Sequence, residues 1–237
     1  MRRALAVSLL AVLPAAAAAA SPPALPIKGA VGVPIQIVVL LTLMTLLPAA
    51  VVSVTPFLRT TIVLHFLRQA LGTQSTPSNQ VLLGLSLFLT LLIMQPVIAD
   101  VYQSAWTPFE KGEMGMEQAA ARAAVPLRGF WVRFVREKDV RLLLEISRAP
   151  APRSPADLEL RVLVPAYILS EMKAGFQIGA VLFLPFLVID LVVASVTLSV
   201  GMVQLPPAMV SAPFKILLFV LVDGWSLVVG SLVKSFY

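Results

Sequence analysis

From residue 29 to residue 58, and again from residue 69 to residue 99, the chain carries no charged side chain. Each run can supply the roughly 20 apolar residues that an α-helix needs to cross a bilayer's hydrocarbon core. We therefore expect an all-α protein built of membrane-associated helical hairpins. The first two apolar helices are predicted over residues 35–54 and 80–101, with breaks near Pro56 and near Thr76-Pro77-Ser78-Asn79. Residues 57–71 lie between them and carry Arg59, His65 and Arg68. At 15 residues this stretch is too short to span comfortably.

Composition agrees with that class. Of 237 residues, 59% are hydrophobic and 13% charged, and the mean hydropathy is +0.93. A soluble domain is about half apolar and about one-quarter charged. There is no cysteine, which excludes disulfides, thiol catalysis and thiolate metal sites. The net charge of +6 raises nucleic acid as a partner, but 9 of the 18 basic residues fall between residues 122 and 161 beside five acids. Mixed charge of that kind reads as a solvated helical face.

Two further apolar segments, residues 178–200 and 213–234, contain Asp190, Lys215 and Asp223. A charge at a membrane-helix centre costs about 2.5–3.5 kcal/mol on insertion scales. Such groups call for an assembly or a water-filled path. Residues 163–237 read as a shorter helix followed by a helical hairpin, with Gly201, Pro206, Pro207 and Pro213 marking the turn. Gly175 and Gly179 form a GxxxG pair that lets another helix approach closely. Pro185 predicts a kink. With the second helix starting at Pro213, Lys215 would lie about 12 Å from Asp190 along the hairpin axis. That gap predicts a partner acid on a neighbouring subunit, Asp190 or Glu171, with snorkelling of Lys215 to water at the helix end as the alternative.

The N-terminus has the layout of a cleaved secretory signal over residues 1–20. Arg2 and Arg3 are followed by a short apolar core and an alanine tract before Ser21. An uncleaved anchor is the alternative. With the mature N-terminus outside, residues 21–101 form the apolar helices, and Arg59 and Arg68 fall on the cytoplasmic side. Residues 102–162 form a polar helical domain returned to the outer side, and residues 163–237 the C-terminal hairpin. Within the polar domain, residues 127–147 show Phe130, Trp131, Phe134, Val135 and Leu142 at helical spacing. Arg133–Glu137 and Arg141–Glu145 would be supporting i,i+4 pairs. The proline-rich stretch 149–155 is a loop.

Nothing in the chain carries catalysis. His65 is the only histidine, so no paired-histidine metal site exists, and its nearest acid in sequence is Asp100. No GxGxxG, Walker loop or GxSxG sequence occurs. We expect no enzyme, no catalytic or metal-binding residue and no cofactor.

Several stretches resemble the FliP family of flagellar export-gate subunits. They are Phe57-Leu58-Arg59-Thr60-Thr61-Ile62-Val63-Leu64, Gln95-Pro96-Val97-Ile98, Val164-Pro165-Ala166-Tyr167-Ile168-Leu169-Ser170-Glu171-Met172-Lys173-Ala174-Gly175-Phe176-Gln177-Ile178-Gly179, Leu184-Pro185-Phe186-Leu187-Val188-Ile189-Asp190 and Leu221-Val222-Asp223-Gly224-Trp225. The resemblance covers essentially the whole mature chain, and the injectisome counterpart shares the core motifs. It implies a structural, pore-forming subunit of the flagellar type III protein export gate in the bacterial inner membrane and flagellar basal body, with the polar domain periplasmic. It also implies a homo-oligomeric ring with FliQ-like and FliR-like subunits, with unfolded export substrates passing through its centre and no nucleic-acid partner. The hairpins need not span lipid conventionally in such an assembly.

The family's methionine-rich pore loop aligns with Met202, Val203, Gln204 and Leu205, with a single methionine where relatives show a run. Glu171, Lys173, Asp190, Lys215 and Asp223 are then the candidate buried or intersubunit charges, and Gly175 and Gly179 the packing pair. Three alternatives stand beside this reading: an ion or solute transporter titrating Asp190 and Asp223, a membrane scaffold without a pore, and the equivalent virulence-type secretion subunit.

Overall fold

The computed structural model describes residues 33–73, 75–150, 152, 154, 157–202 and 204–237. The signal sequence expected over residues 1–20 lies outside them, as does Val203. Among the described residues every regular element is helical. Three helices are long and apolar enough to cross a membrane, within Ile35–Ser53, Asn79–Glu110 and Leu160–Ser199.

The first helix, α1 (Val33–Ser53), leaves most of its apolar side chains exposed. Pro56 closes it and opens α2 (Phe57–Ala70), where a proline's missing N–H costs nothing. A turn at Thr76-Pro77-Ser78 then reverses the chain into α3 (Asn79–Val101). Arg68 holds that turn by donating to Asn79 Oδ1 at 2.6 Å. α3 continues through a π-helical turn (Tyr102–Trp106) and a short α4 (Thr107–Glu110).

Residues 127–147, where the apolar spacing is helical, fall on two helices and not on one continuous helix. α5 (Met116–Phe134) stops where Val135 and Arg136 turn extended, and α6 (Glu137–Ser147) starts in a new direction. The break is stabilised from outside, because the Arg136 N–H donates to Ser170 Oγ at 3.0 Å. Glu137 therefore lies beyond the helix that holds Arg133. Arg141 pairs with Glu137 across one turn, not with Glu145.

The C-terminal third also departs from expectation. A single 40-residue helix, α7 (Leu160–Ser199), runs through Pro165 and Pro185. At 1.5 Å per residue it is about 60 Å long, twice the thickness of a hydrocarbon core. Its first half is buried at Val162, Leu163, Ala166, Tyr167, Glu171, Gly175 and Gly179, whereas its second half is mostly exposed. The hairpin returns as α8 (Pro207–Leu221), with Pro213 inside the helix rather than at the turn. α9 (Gly224–Lys234) follows at a 67° bend.

Two main apolar cores result. One gathers Ile93 and Met94 of α3, Phe130 and Trp131 of α5, Val140 of α6, the start of α7 and Phe236. The other packs Leu64 and Leu67 of α2 with Leu82 of α3, Phe186 of α7 and Phe219 of α8. Trp131 Nε1–H also donates to Val54 O at 2.8 Å, tying α5 to the end of α1.

Candidate functional site

α7 holds three groups of charged side chains, each tied to a different element. The first is a bidentate ion pair: Arg59 Nε donates to Glu171 Oε2 at 2.9 Å and Nη2 to Oε1 at 2.5 Å. Both side chains are buried, so each charge depends on the other. The remaining guanidinium edge donates to Ser235 Oγ at 3.0 Å. Its face lies 3.9 Å from the Phe236 ring centroid and 5.6 Å from that of Phe134. The last residues of the chain thus close over the pair.

Arg59 and Arg68 lie at opposite ends of α2. Arg59 sits at the start of α2 against α5 and α7, where the polar segment docks. Arg68 sits at the other end, on the α2–α3 turn, about 13.5 Å along the helix.

The second group docks α6. Asp139 is 1% exposed and accepts from Ser170 Oγ at 2.8 Å, while Lys173 forms an ion pair with its other oxygen. Burial pushes the Asp139 carboxyl up, but the bonds from Lys173 and Ser170 and the charges of Lys173 and Arg136 outweigh it. The net result lies below the usual carboxylate range.

In the third group Lys215 Nζ donates to Asp190 Oδ2 at 2.6 Å, and Ser211 Oγ donates to Oδ1 at 2.5 Å. The lysine side chain is 4% exposed and the aspartate 29%. This pairing lies within one chain, which overturns the expectation of a partner on a neighbouring subunit. The error lay in the turn. α8 begins at Pro207, so Lys215 is eight residues into it, about 12 Å from its start; Asp190 is about 13.5 Å back from Ser199. The two are level.

Asp223 belongs to none of these groups. It is exposed and adopts φ 50 at the α8–α9 bend. Aspartate tolerates this left-handed geometry better than most residues. The next residue must be small, because a Cβ on Gly224 would collide with the Phe219 ring. Trp225 then packs edge-on to Phe219 at 5.4 Å.

Gly175 and Gly179 face α2. A Cβ on Gly175 would lie 3.1 Å from Ile62, and one on Gly179 would lie 2.5 Å from Phe66 Cγ. Ile62 and Phe66 are themselves one turn apart, so this seam lets two helix backbones approach closely.

The hairpin tip is built by a helix cap. Met202 N–H donates to Thr197 O and Gly201 N–H to Leu198 O, both at 3.0 Å. With Gly201 at φ 82 this is the paired 6→1, 5→2 bonding of a Schellman motif. It leaves Met202, Gln204 and Leu205 exposed at the tip.

Sequence reasoning flagged Glu171, Lys173, Asp190 and Lys215 but missed Arg59, Asp139, Ser170, Ser211 and Phe236, which complete their environments. Arg59 alone had a usable signal, a charge within the otherwise apolar stretch 57–67.

The whole of this architecture falls within a match to known proteins. The FliP family model matches residues 40–232. A flagellar biosynthetic protein FliP from Pectobacterium carotovorum subsp. carotovorum is 52% identical over 203 residues, covering 86% of this chain and 79% of that protein. The flagellar biosynthetic protein FliP of Bacillus subtilis (strain 168) is 46% identical, over 85% and 91% of the two chains. That of Caulobacter vibrioides (strain ATCC 19089 / CIP 103742 / CB 15) is 44% identical, over 100% and 92%. With identity of this level across nearly all the helices just described, the chain belongs to the FliP family and is a component of flagellum biogenesis and protein export.

Proposed function

We propose that this chain is a structural, pore-forming subunit of the flagellar type III export gate, required for export of flagellar proteins and for flagellum assembly. Several copies form a ring with FliQ-like and FliR-like subunits in the basal body of the inner membrane. Unfolded substrates thread its centre, and residues 102–162 lie on the periplasmic side. Residues 1–20 act as a removable secretory signal.

The observation that carries this reading is α7. A helix about 60 Å long, fixed at its base and exposed along its second half, exceeds what a single membrane crossing needs. Standing beside other copies, its apolar flanks would bury one another, and each hairpin would present Met202, Gln204 and Leu205 at one level. The competing transporter reading is weakened by Asp190, whose two oxygens are both engaged, and by Asp223, which lies exposed at a bend. Neither is a free acid inside an apolar path.

Purification of the intact membrane complex and a count of chains per particle test the proposal. A closed ring of several copies with partner subunits is the expected result. A monomer or dimer without them would refute it.

A further inference from the structure

Met209 stands out at the hairpin tip. It lies in the first turn of α8 and is 75% exposed, among the most exposed large apolar side chains described. Ser211 and Lys215 define the face of α8 that meets α7, because both donate to Asp190. Met209 precedes Ser211 by two residues, about 200° around the helix, so it faces away from its own α7. Helical side chains also lean toward the helix N-terminus. In the first turn of α8 that lean is toward the adjoining loop, which carries exposed Met202 and Leu205.

We infer that Met209 is part of the seal at the hairpin tip, acting with Met202 and Leu205 against the tips of neighbouring copies and against the chain in transit. This rests on the pore reading above and deepens it. The argument is one of side-chain chemistry and placement. A seal that opens for a polypeptide and closes after it needs unbranched, polarisable side chains able to fill irregular gaps, which is the property of methionine. The loop itself supplies only Met202. Met209 supplies the second such side chain from a helical position, where the backbone is fixed and only the side chain must adapt. Rotations about its three side-chain bonds can follow a passing chain without breaking the Met209 N–H bond to Pro206 O at 3.0 Å.

The test is small-ion leak in cells carrying the intact complex, with the amount of assembled ring measured beside it. Met202→Ala/Leu205→Ala, Met209→Ala and Met209→Leu are compared with the unsubstituted chain. Met209→Ala is expected to leak most, while Met209→Leu, which keeps the apolar bulk but is branched and less flexible, leaks less than Met209→Ala and more than the unsubstituted chain. A second arm avoids any assembly defect. The chain has no cysteine, so Met209→Cys introduces its only thiol. In the leaky Met202→Ala/Leu205→Ala background, a bulky thiol reagent added after assembly should reduce the leak through Met209→Cys and leave the background alone unchanged. Leak from the loop variant with none from Met209→Ala, and no effect of the reagent, would overturn the role of Met209 while the pore reading stands. Intact rings that leak in no variant would overturn both.

Discussion

Removing Arg59 is expected to cost this protein a large part of its stability, and the structure fixes why. Its guanidinium makes two bonds to Glu171, two to Ser235 and a face contact with Phe236, and the Arg59 and Glu171 side chains are both buried. Arg59→Ala leaves the Glu171 carboxylate buried without its counter-charge. Loss of one partner of such a pair costs about 3–5 kcal/mol. The lost cation–π contact adds about 0.5–2 kcal/mol. Against a total stability of about 5–15 kcal/mol, either single variant sits near the threshold of folding. The double variant Arg59→Met/Glu171→Leu behaves differently, because a buried pair replaced by apolar side chains of similar size is often neutral or stabilising. The assay is denaturant unfolding of the detergent-purified protein, followed by tryptophan fluorescence, to which Trp131 contributes from the core that includes Phe236. Arg59→Ala and Glu171→Ala should each fall by about 3–5 kcal/mol, and the double variant should lie well above the sum of the two. Single variants within about 1 kcal/mol of the parent, or a double variant equal to the sum, would refute the argument.

Three further outcomes follow from the same geometry. Gly179→Ala places a methyl group 2.5 Å from Phe66 Cγ and should cost about 1–3 kcal/mol, with relief when Phe66→Leu is added; thermal unfolding of the two variants decides it. The Asp139 carboxyl is held below its usual range, so its stabilisation is complete above about pH 4 and drains away as pH falls through the lowered value. Asp139→Asn should flatten that acid limb in a stability–pH profile, and an unchanged limb would count against the ion pair with Lys173. Lys215→Ala and Asp190→Ala should each reduce the amount of assembled complex, and the exchange Lys215→Asp/Asp190→Lys should partly restore it within one chain; equal loss in all three would argue against the direct pair.

The apolar layout was legible because charge-free runs of this length leave few options but helices. α1, α2 and α3 fall within two residues of their expected bounds at most ends. The charges that needed partners were also legible, since an ionised group in an apolar segment is costly wherever it sits. What failed were inferences that depended on where one helix stops. The shorter helix expected ahead of residue 178 is the first half of α7, which runs on through Pro165 and Pro185 without a break. The break at Val135–Arg136 left no mark in the apolar spacing, because its stabilising acceptor, Ser170, lies 34 residues away. Placing the start of α8 at Pro213 instead of Pro207 moved Lys215 by six residues, about 9 Å. That shift alone turned a contact within the chain into an expected contact between chains.

The three ion pairs are better understood together than singly, because all of them use α7. Glu171, Lys173 and Asp190 tie α2, α6 and α8 respectively to one helix. Glu171 and Asp190 are 19 residues apart, about 28 Å along the axis, with the Gly175–Gly179 seam between them. The lower pairs and the seam fix the base of α7 against α2 and the polar helices. The upper pair fixes α8 to α7 just below the tip. A hairpin held at both levels by charge-assisted bonds has little freedom to slide one helix along the other, since a shift of one turn, 5.4 Å, would separate Lys215 from Asp190. The backbone at the tip is therefore held in position, and in the proposed pore any adaptation to a passing polypeptide would fall to the side chains of Met202, Leu205 and Met209. Buried charge in this apolar hairpin thus sets the height of its tip along α7.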